Sequence, residues 1–361
     1  MRRILLAAIL TMLPLAAVCQ YRDSENLRER LKWDDEKLHI MLDTRFDLRY
    51  DNIAGEDNVG FKGQSLRLWL EGEIIPGIRY RLRHRLNKSQ APLSDGLADA
   101  TDHAWVAFDI GRSKQWTITV GKQSVQLGTY EYDYNPADNY ISTAVNADFD
   151  SHQIGLNTAY RFLGQTVNLQ VFNAGSGQFA TEDYRKKALG GSMLWQGSFF
   201  SGILNTRTGY TVLQHSADRF YGWFSTGWQI RAGGFTAEAD YYAGDRDMDY
   251  SGTVGEAGIN PVRDRSVALG IKYGTGKWRP FIKGVYDNRY DRGQKNEVYD
   301  NFGIQAALEY YPFTGHKYVA DLRFHVAYGY TYTSFNKTLN NVPDKAQHML
   351  LLGVRWFFTA K

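Results

Sequence analysis

Thiol chemistry is nearly absent from this chain of 361 residues: its one cysteine is Cys19, at the end of an apolar N-terminal run. No stretch after residue 19 approaches eighteen consecutive apolar residues, which excludes a transmembrane helix. An excess of one charge is lacking too, with 42 Lys and Arg against 39 Asp and Glu. That balance gives no argument for a nucleic-acid partner. The eight histidines are scattered without a metal-ligand spacing, and no serine lies in a nucleophile elbow. We therefore expect no metal, no cofactor and no enzyme activity. The acidic run Asp245-Arg246-Asp247-Met248-Asp249 fits a calcium loop badly, because Arg stands inside it and no spaced Glu follows.

Arg2 and Arg3 precede the apolar residues 4–18, and Ala17-Val18-Cys19 forms a small-residue cleavage site. Residues 1–19 read as a secretory signal peptide. A lipid anchor on Cys19 is the lesser reading, since Val18 stands where a small residue is usual. Cleavage removes the cysteine, and the loss of Arg2 and Arg3 lowers the formal charge from +3 to +1. Residues 20–37 are charged and lack alternation, so we expect an N-terminal periplasmic extension there.

What is abundant is aromatic and flexible residues: 24 Tyr, 19 Phe, 9 Trp and 35 Gly, beside a mean hydropathy of −0.45. From His39 onward the polarity changes at every residue. Ile40, Leu42, Thr44, Phe46, Leu48 and Tyr50 share one face, while Met41, Asp43, Arg45, Asp47 and Arg49 share the other. Such alternation suits a strand with lipid on one side and water on the other. Seven tight turns (75–77, 111–114, 164–165, 198–202, 232–234, 274–276 and 313–316) alternate with longer polar loops near 51–62, 88–101, 123–149, 174–187, 213–220, 245–262, 288–298 and 335–346. Seven turns joining eight hairpins predict an all-β, transmembrane antiparallel barrel of about sixteen strands over residues 38–361. At that size side chains no longer fill the interior, and a water channel remains. Trp69, Trp116, Trp195, Trp228, Trp278 and Trp356 are expected in two interfacial belts.

Two sets of residues are candidates for function. Arg79, Arg81, Arg83 and Arg85 fall at every second position of the third strand, opposite Ile78, Tyr80, Leu82 and Leu86. They form either a ladder that hands anions along the pore or a wall paired with Glu71, Glu73 and Asp109. The third loop, 123–149, is the longest, and we expect it to fold inward as a constriction. It carries Tyr130, Tyr132, Tyr134 and Tyr140, which either line a track for solutes or pack the loop against the wall. Lys122, at its mouth, is either a pore-lining cation or a solvated rim charge.

The stretch Gly121-Lys122-Gln123-Ser124-Val125-Gln126-Leu127-Gly128, with Tyr134-Asn135-Pro136-Ala137-Asp138-Asn139-Tyr140 and Ser65-Leu66-Arg67-Leu68-Trp69-Leu70-Glu71-Gly72, resembles the phosphate-selective porin O and P family of Bacteroidetes-type bacteria. The resemblance implies a sixteen-stranded channel of the bacterial outer membrane, a homotrimer, with a basic inner wall that guides anions such as phosphate. In this chain the third loop carries Glu131, Asp133, Asp138 and Asp148 rather than lysines. We read a passive diffusion channel for small hydrophilic solutes, embedded among outer-membrane lipid and lipopolysaccharide. The alternative is a barrel that serves as receptor, adhesin or assembly component without transport.

Overall fold

The computed structural model describes residues 37–93, 95–111, 113–249, 259–316, 319–336 and 342–359. The expected signal peptide at 1–19 lies outside these residues, as does the expected extension at 20–37 apart from Lys37. Sixteen strands follow in chain order: β1 His39–Ile53, β2 Glu56–Ile75, β3 Ile78–Arg85, β4 Thr101–Ile110, β5 Trp116–Ser124, β6 His152–Phe162, β7 Gln165–Asn173, β8 Leu189–Phe199, β9 Leu204–Gln214, β10 Phe220–Ala232, β11 Phe235–Asp249, β12 Ile259–Tyr273, β13 Trp278–Asp291, β14 Asn296–Tyr310, β15 Arg323–Phe335 and β16 Lys345–Thr359. Each pairs antiparallel with the next, and β16 returns to β1 with Leu352 opposite Leu48 and Phe358 opposite Leu42. The sheet is a closed barrel of the expected sixteen strands, but β11–β14 run well into the loops expected at 245–262 and 288–298, and β15 begins only at Arg323, so the tight turn expected at 313–316 is part of a longer connection.

Alternation has the inverse consequence here from that in a soluble protein. Leu48, Leu169, Leu269, Ile282 and Leu352 point outward and are exposed, whereas Asp43, Arg45, Asp47, Gln229 and Gln305 point inward and are buried. An apolar band around the whole circumference is stable only against hydrocarbon. Closure matters for the same reason, because an open sheet edge in lipid would leave backbone N–H and C=O groups without partners.

The first hairpin differs from expectation. Residues 51–62 were expected as a long loop, but β1 and β2 continue through them to a two-residue turn at Ala54 and Gly55, with φ of 53° and 91°. Positive φ at both positions is the geometry that matches the twist of paired strands. This hairpin is polar on both faces (Asp51, Asn52, Glu56, Asp57, Asn58), so the lipid signature vanishes while the pairing persists. The tryptophans differ as well. Trp116, Trp195, Trp228, Trp278 and Trp356 all lie near the short-turn end, with Trp116 against Tyr160 and Trp278 against Tyr310 at 4.5 Å between ring centres. Tyr210, Phe224, Tyr286 and Phe302 take the outward positions nearer the other end. Trp69 is not in a belt: it shares the inward face of β2 with Arg67 and Glu71.

Leu352 sits mid-strand on β16 and is 60% exposed. Leu352→Arg is expected to cost about 2–4 kcal/mol in urea titrations of protein folded into lipid vesicles. An unchanged midpoint would mean that this face does not meet hydrocarbon.

Candidate functional site

The chain between β5 and β6 is the longest connection among the described residues, and its polar atoms bond to the inner wall on several sides. It carries two short helices, α1 Tyr130–Asp133 and α2 Ala144–Asp148, with a 3-10 turn at Pro136–Asp138 between them. Local sequence sets these turns. Pro136 opens the 3-10 turn behind Asn135, whose side chain accepts from the Ala137 N–H, and Thr143 caps α2 by accepting from the Asn146 N–H.

The loop is held by charges and amides that alternation aimed inward. On β11, the Asp240 carboxylate accepts from the backbone N–H of Tyr130 at 2.8 Å and of Glu131 at 2.7 Å. Glu131 is buried beside Lys283 of β13 at 2.6 Å and accepts from the Thr143 N–H at 2.9 Å. On β14, Gln305 accepts from the Ile141 N–H. Further round the ring, Arg45 of β1 donates to the Ala137 and Asn139 carbonyls, and Arg67 of β2 donates to Asn135 at 2.8 Å. Arg323 of β15 pairs with Asp138 at 2.5 Å. Burial alone would raise the Asp138 carboxyl, but Arg355 and Arg323 beside it prevail and hold it well below the usual carboxylate range. This tie is therefore fully present above the ordinary carboxylate pKa and is lost only as pH falls through the lowered value.

A second connection, 174–188 between β7 and β8, also packs against the barrel's inner side. Phe179, Ala180 and Ala188 join Val125, Leu127, Val145 and Phe149 of the longer loop against Phe172, Leu213, Tyr221, Trp223 and Tyr242 of the strands. Inside a wet barrel this apolar cluster drives the loops onto β7–β11 by burying aromatic surface.

The four arginines of β3 are each brought to a carboxylate. Arg79 meets Asp109 at 2.8 Å, Arg81 meets Glu71 at 2.6 Å, and Arg83 and Arg85 share Asp102 at 3.1 and 2.7 Å. The Arg83 guanidinium also donates to His152 Nε2 at 2.8 Å, so that nitrogen accepts and the ring is neutral. Of the pairs read from sequence, Glu71 and Asp109 are present, while Glu73 gives way to Asp102. Lys122 is not open to the lumen: it is 1% exposed and pairs with Asp95, in the loop after β3, at 2.8 Å. Gly121 before it has φ of 124°, and an added Cβ would meet the Ala104 carbonyl at 2.2 Å.

The four tyrosines divide. Tyr130 lies over Arg207 of β9 and lines the open space, as does Tyr132, which also packs on the apolar cluster. Tyr134 bonds Glu238 and lies 3.8 Å from the Lys272 nitrogen. Tyr140 is an anchor on the far side, donating to Glu309 at 2.9 Å beneath Arg45 and His325.

A cavity of about 940 Å³ remains between the loop and the β2–β6 wall, reaching Arg207 and Arg231 on β9 and β10. Seven Arg or Lys side chains line it against four carboxylates. Arg207, Arg231 and Arg355 were missed in the sequence. They stand alone on their strands rather than in a ladder, and β8 and β9 alternate poorly, with Gly190, Gly191 and Gly209 in the run. Among the described residues no cluster of His, Cys, Asp or Glu could hold a metal ion.

A family model described as phosphate-selective porin O and P matches residues 37–361. Among solved structures, the outer membrane channel DcaP of Acinetobacter baumannii is similar with a TM-score of 0.63 at 11% identity, covering 89% of this chain and 97% of that one. The anion-selective porin of Comamonas acidovorans gives 0.59 at 11%, covering 89% and 99%. The trimer form of in-vitro folded OmpT of Vibrio cholerae gives 0.60 at 12%, covering 90% and 100%. No curated protein sequence matches. At these identities the structural likeness speaks for the fold.

Asp240 accepts from two backbone donors of the loop, the Tyr130 and Glu131 N–H groups. Asp240→Ala is expected to cost about 1–3 kcal/mol for each orphaned N–H and to loosen the start of the loop. In detergent, thermolysin should then cut within residues 125–151 about tenfold faster than in the unaltered protein. Equal cutting rates would show that this carboxylate does not anchor the loop.

Proposed function

Because the chain belongs to the phosphate-selective porin O and P family and is an outer-membrane porin, we propose that its lumen passes small hydrophilic solutes passively, favours anions and works in a homotrimer. One observation carries the preference: the open space is lined by seven basic side chains against four carboxylates. An anion entering such a space finds compensating charge at each step, and a cation meets net repulsion. Arg79, Arg81, Arg83 and Arg85 supply this field as members of a paired wall. Each guanidinium already faces a carboxylate. That favours a broad preference for anions over a dedicated phosphate site, which would need several uncommitted donors converging on one tetrahedral anion.

The loop tied across the interior acts as the constriction in this reading, with Tyr130, Tyr132 and Tyr134 on its open side and Tyr140 as an anchor. Lys122 contributes through Asp95, by holding the second long loop to the mouth of the third. The anion-selective porin of Comamonas acidovorans and the trimer form of OmpT are the relatives that support the preference and the assembly. A receptor or adhesin without transport has no feature of the lumen in its favour.

Planar-bilayer recordings test the reading directly. Stable stepwise conductance with an anion-selective reversal potential is expected, and a sealed barrel would dismiss transport. Replacing Arg79, Arg81, Arg83 and Arg85 together by Gln takes three cations from the cavity lining, leaving four against four. The reversal potential in a salt gradient should then move towards that of a non-selective pore; no movement would remove the arginines from the selectivity mechanism. Deleting residues 136–148 should raise single-channel conductance, and an unchanged value would mean that the loop does not limit flow.

A further inference from the structure

The inward face of the β2–β4 wall departs from what a water-filled pore requires. Trp105 stands opposite Arg81 in the β3–β4 register, and Trp69 stands opposite Arg83 in the β2–β3 register. The Arg81 guanidinium lies 5.3 Å from the Trp105 ring centre and 5.5 Å from that of Trp69, and Arg83 lies 5.0 Å from Trp69. Phe357 of β16 continues the surface, meeting Trp69 edge-on at 5.9 Å and 82°. Trp69, Trp105, Phe357 and Met41 all line the open cavity with Arg81, Arg83 and Arg85.

Rings and guanidinium groups thus alternate in one layer. Cation–π attraction to the indoles helps to hold the guanidinium groups in place. Arg85 uses Nε towards Asp102 and remains 25% exposed. A compact hydrated anion gains from the charges alone and nothing from the rings. A carboxylate joined to a flat conjugated ring gains from both, because its oxygens need only the outward edge of one guanidinium, that of the part-exposed Arg85, while its ring lies on an indole face.

We propose that this alternating Trp–Arg layer is a binding site for planar organic anions, namely carboxylates carried by a flat aromatic body, which it holds more tightly than tetrahedral inorganic anions or puckered carboxylates. The site rests on the anion-favouring lumen proposed above and names the solute class that lumen selects.

The test compares benzoate, cyclohexanecarboxylate and inorganic phosphate as blockers of potassium chloride current through the full-length channel in a planar bilayer. The first two share charge and nearly share size, so the difference between them reports planarity. Benzoate is expected to reach half-block at about tenfold lower concentration than either of the others, a factor that corresponds to about 1.4 kcal/mol of stacking. Trp105→Leu should bring the benzoate-to-cyclohexanecarboxylate ratio to within about twofold, while Trp105→Phe, which restores a flat face, should recover most of it. Equal block by benzoate and cyclohexanecarboxylate, or a ratio untouched by Trp105→Leu, would overturn the site. The reversal potential without blocker is read in the same membranes. A cation-selective value would overturn the anion-favouring lumen, whereas an anion-selective pore with equal block would overturn only this site.

Discussion

Everything in this molecule depends on the closing contact between its first and last strands. Pairing of β1 with β16 leaves no strand edge in the hydrocarbon, and only then can sixteen half-apolar segments persist in a bilayer. Closure also creates the second environment, because it encloses a volume too wide for side chains to fill. The charged residues can face inward without a prohibitive desolvation cost for that reason alone. Chemistry on the inner wall is a consequence of topology on the outer one.

Inside, the structure solves two problems with the same side chains. A wide wet tube must not be an indiscriminate hole, and a long loop must not hang loose within it. Asp240, Lys283, Gln305, Arg45 and Arg323 are lumen residues by position and loop anchors by bonding. The apolar cluster around Trp223 and Phe149 supplies the driving force that hydrogen bonds exposed to water would not. What the loops leave open is the basic side of the barrel, so in the proposed function narrowing and charge selection arise together.

Much of this was legible in the residues. The number and order of the strands could be read because lipid on one side and water on the other impose a period of two, weakest in β8 and β9, and the β3 arginines stood out as a run on one face. The first hairpin was hidden because Asp51, Asn52, Asp57 and Asn58 are polar on both faces, so pairing continues where alternation stops. Trp223, Phe172 and Tyr221 were illegible as lumen residues, since an inward aromatic has the composition of a lipid-facing one and only its register separates them. Lys122 was misjudged because its partner Asp95 comes from a loop, and sequence spacing does not say which loops fold over a pore. Trp69 could have been recognised from its parity with Arg67 and Glu71. Its role beside Arg83 needed the cross-strand register.

The internal loop has a mechanical meaning as well. A tube of sixteen strands is easily flattened, because its wall is a single sheet thick and bending it into an ellipse breaks no hydrogen bond in the ladder. Bonds from one connection reach β11, β13, β14, β15, β1 and β2, a run of wall whose two ends, β11 and β2, nearly face each other, and this turns the connection into a strut across the bore. Lateral pressure from the surrounding lipid is then resisted along the strut's line. The aperture keeps its shape through the stiffness of a spoke rather than of the rim.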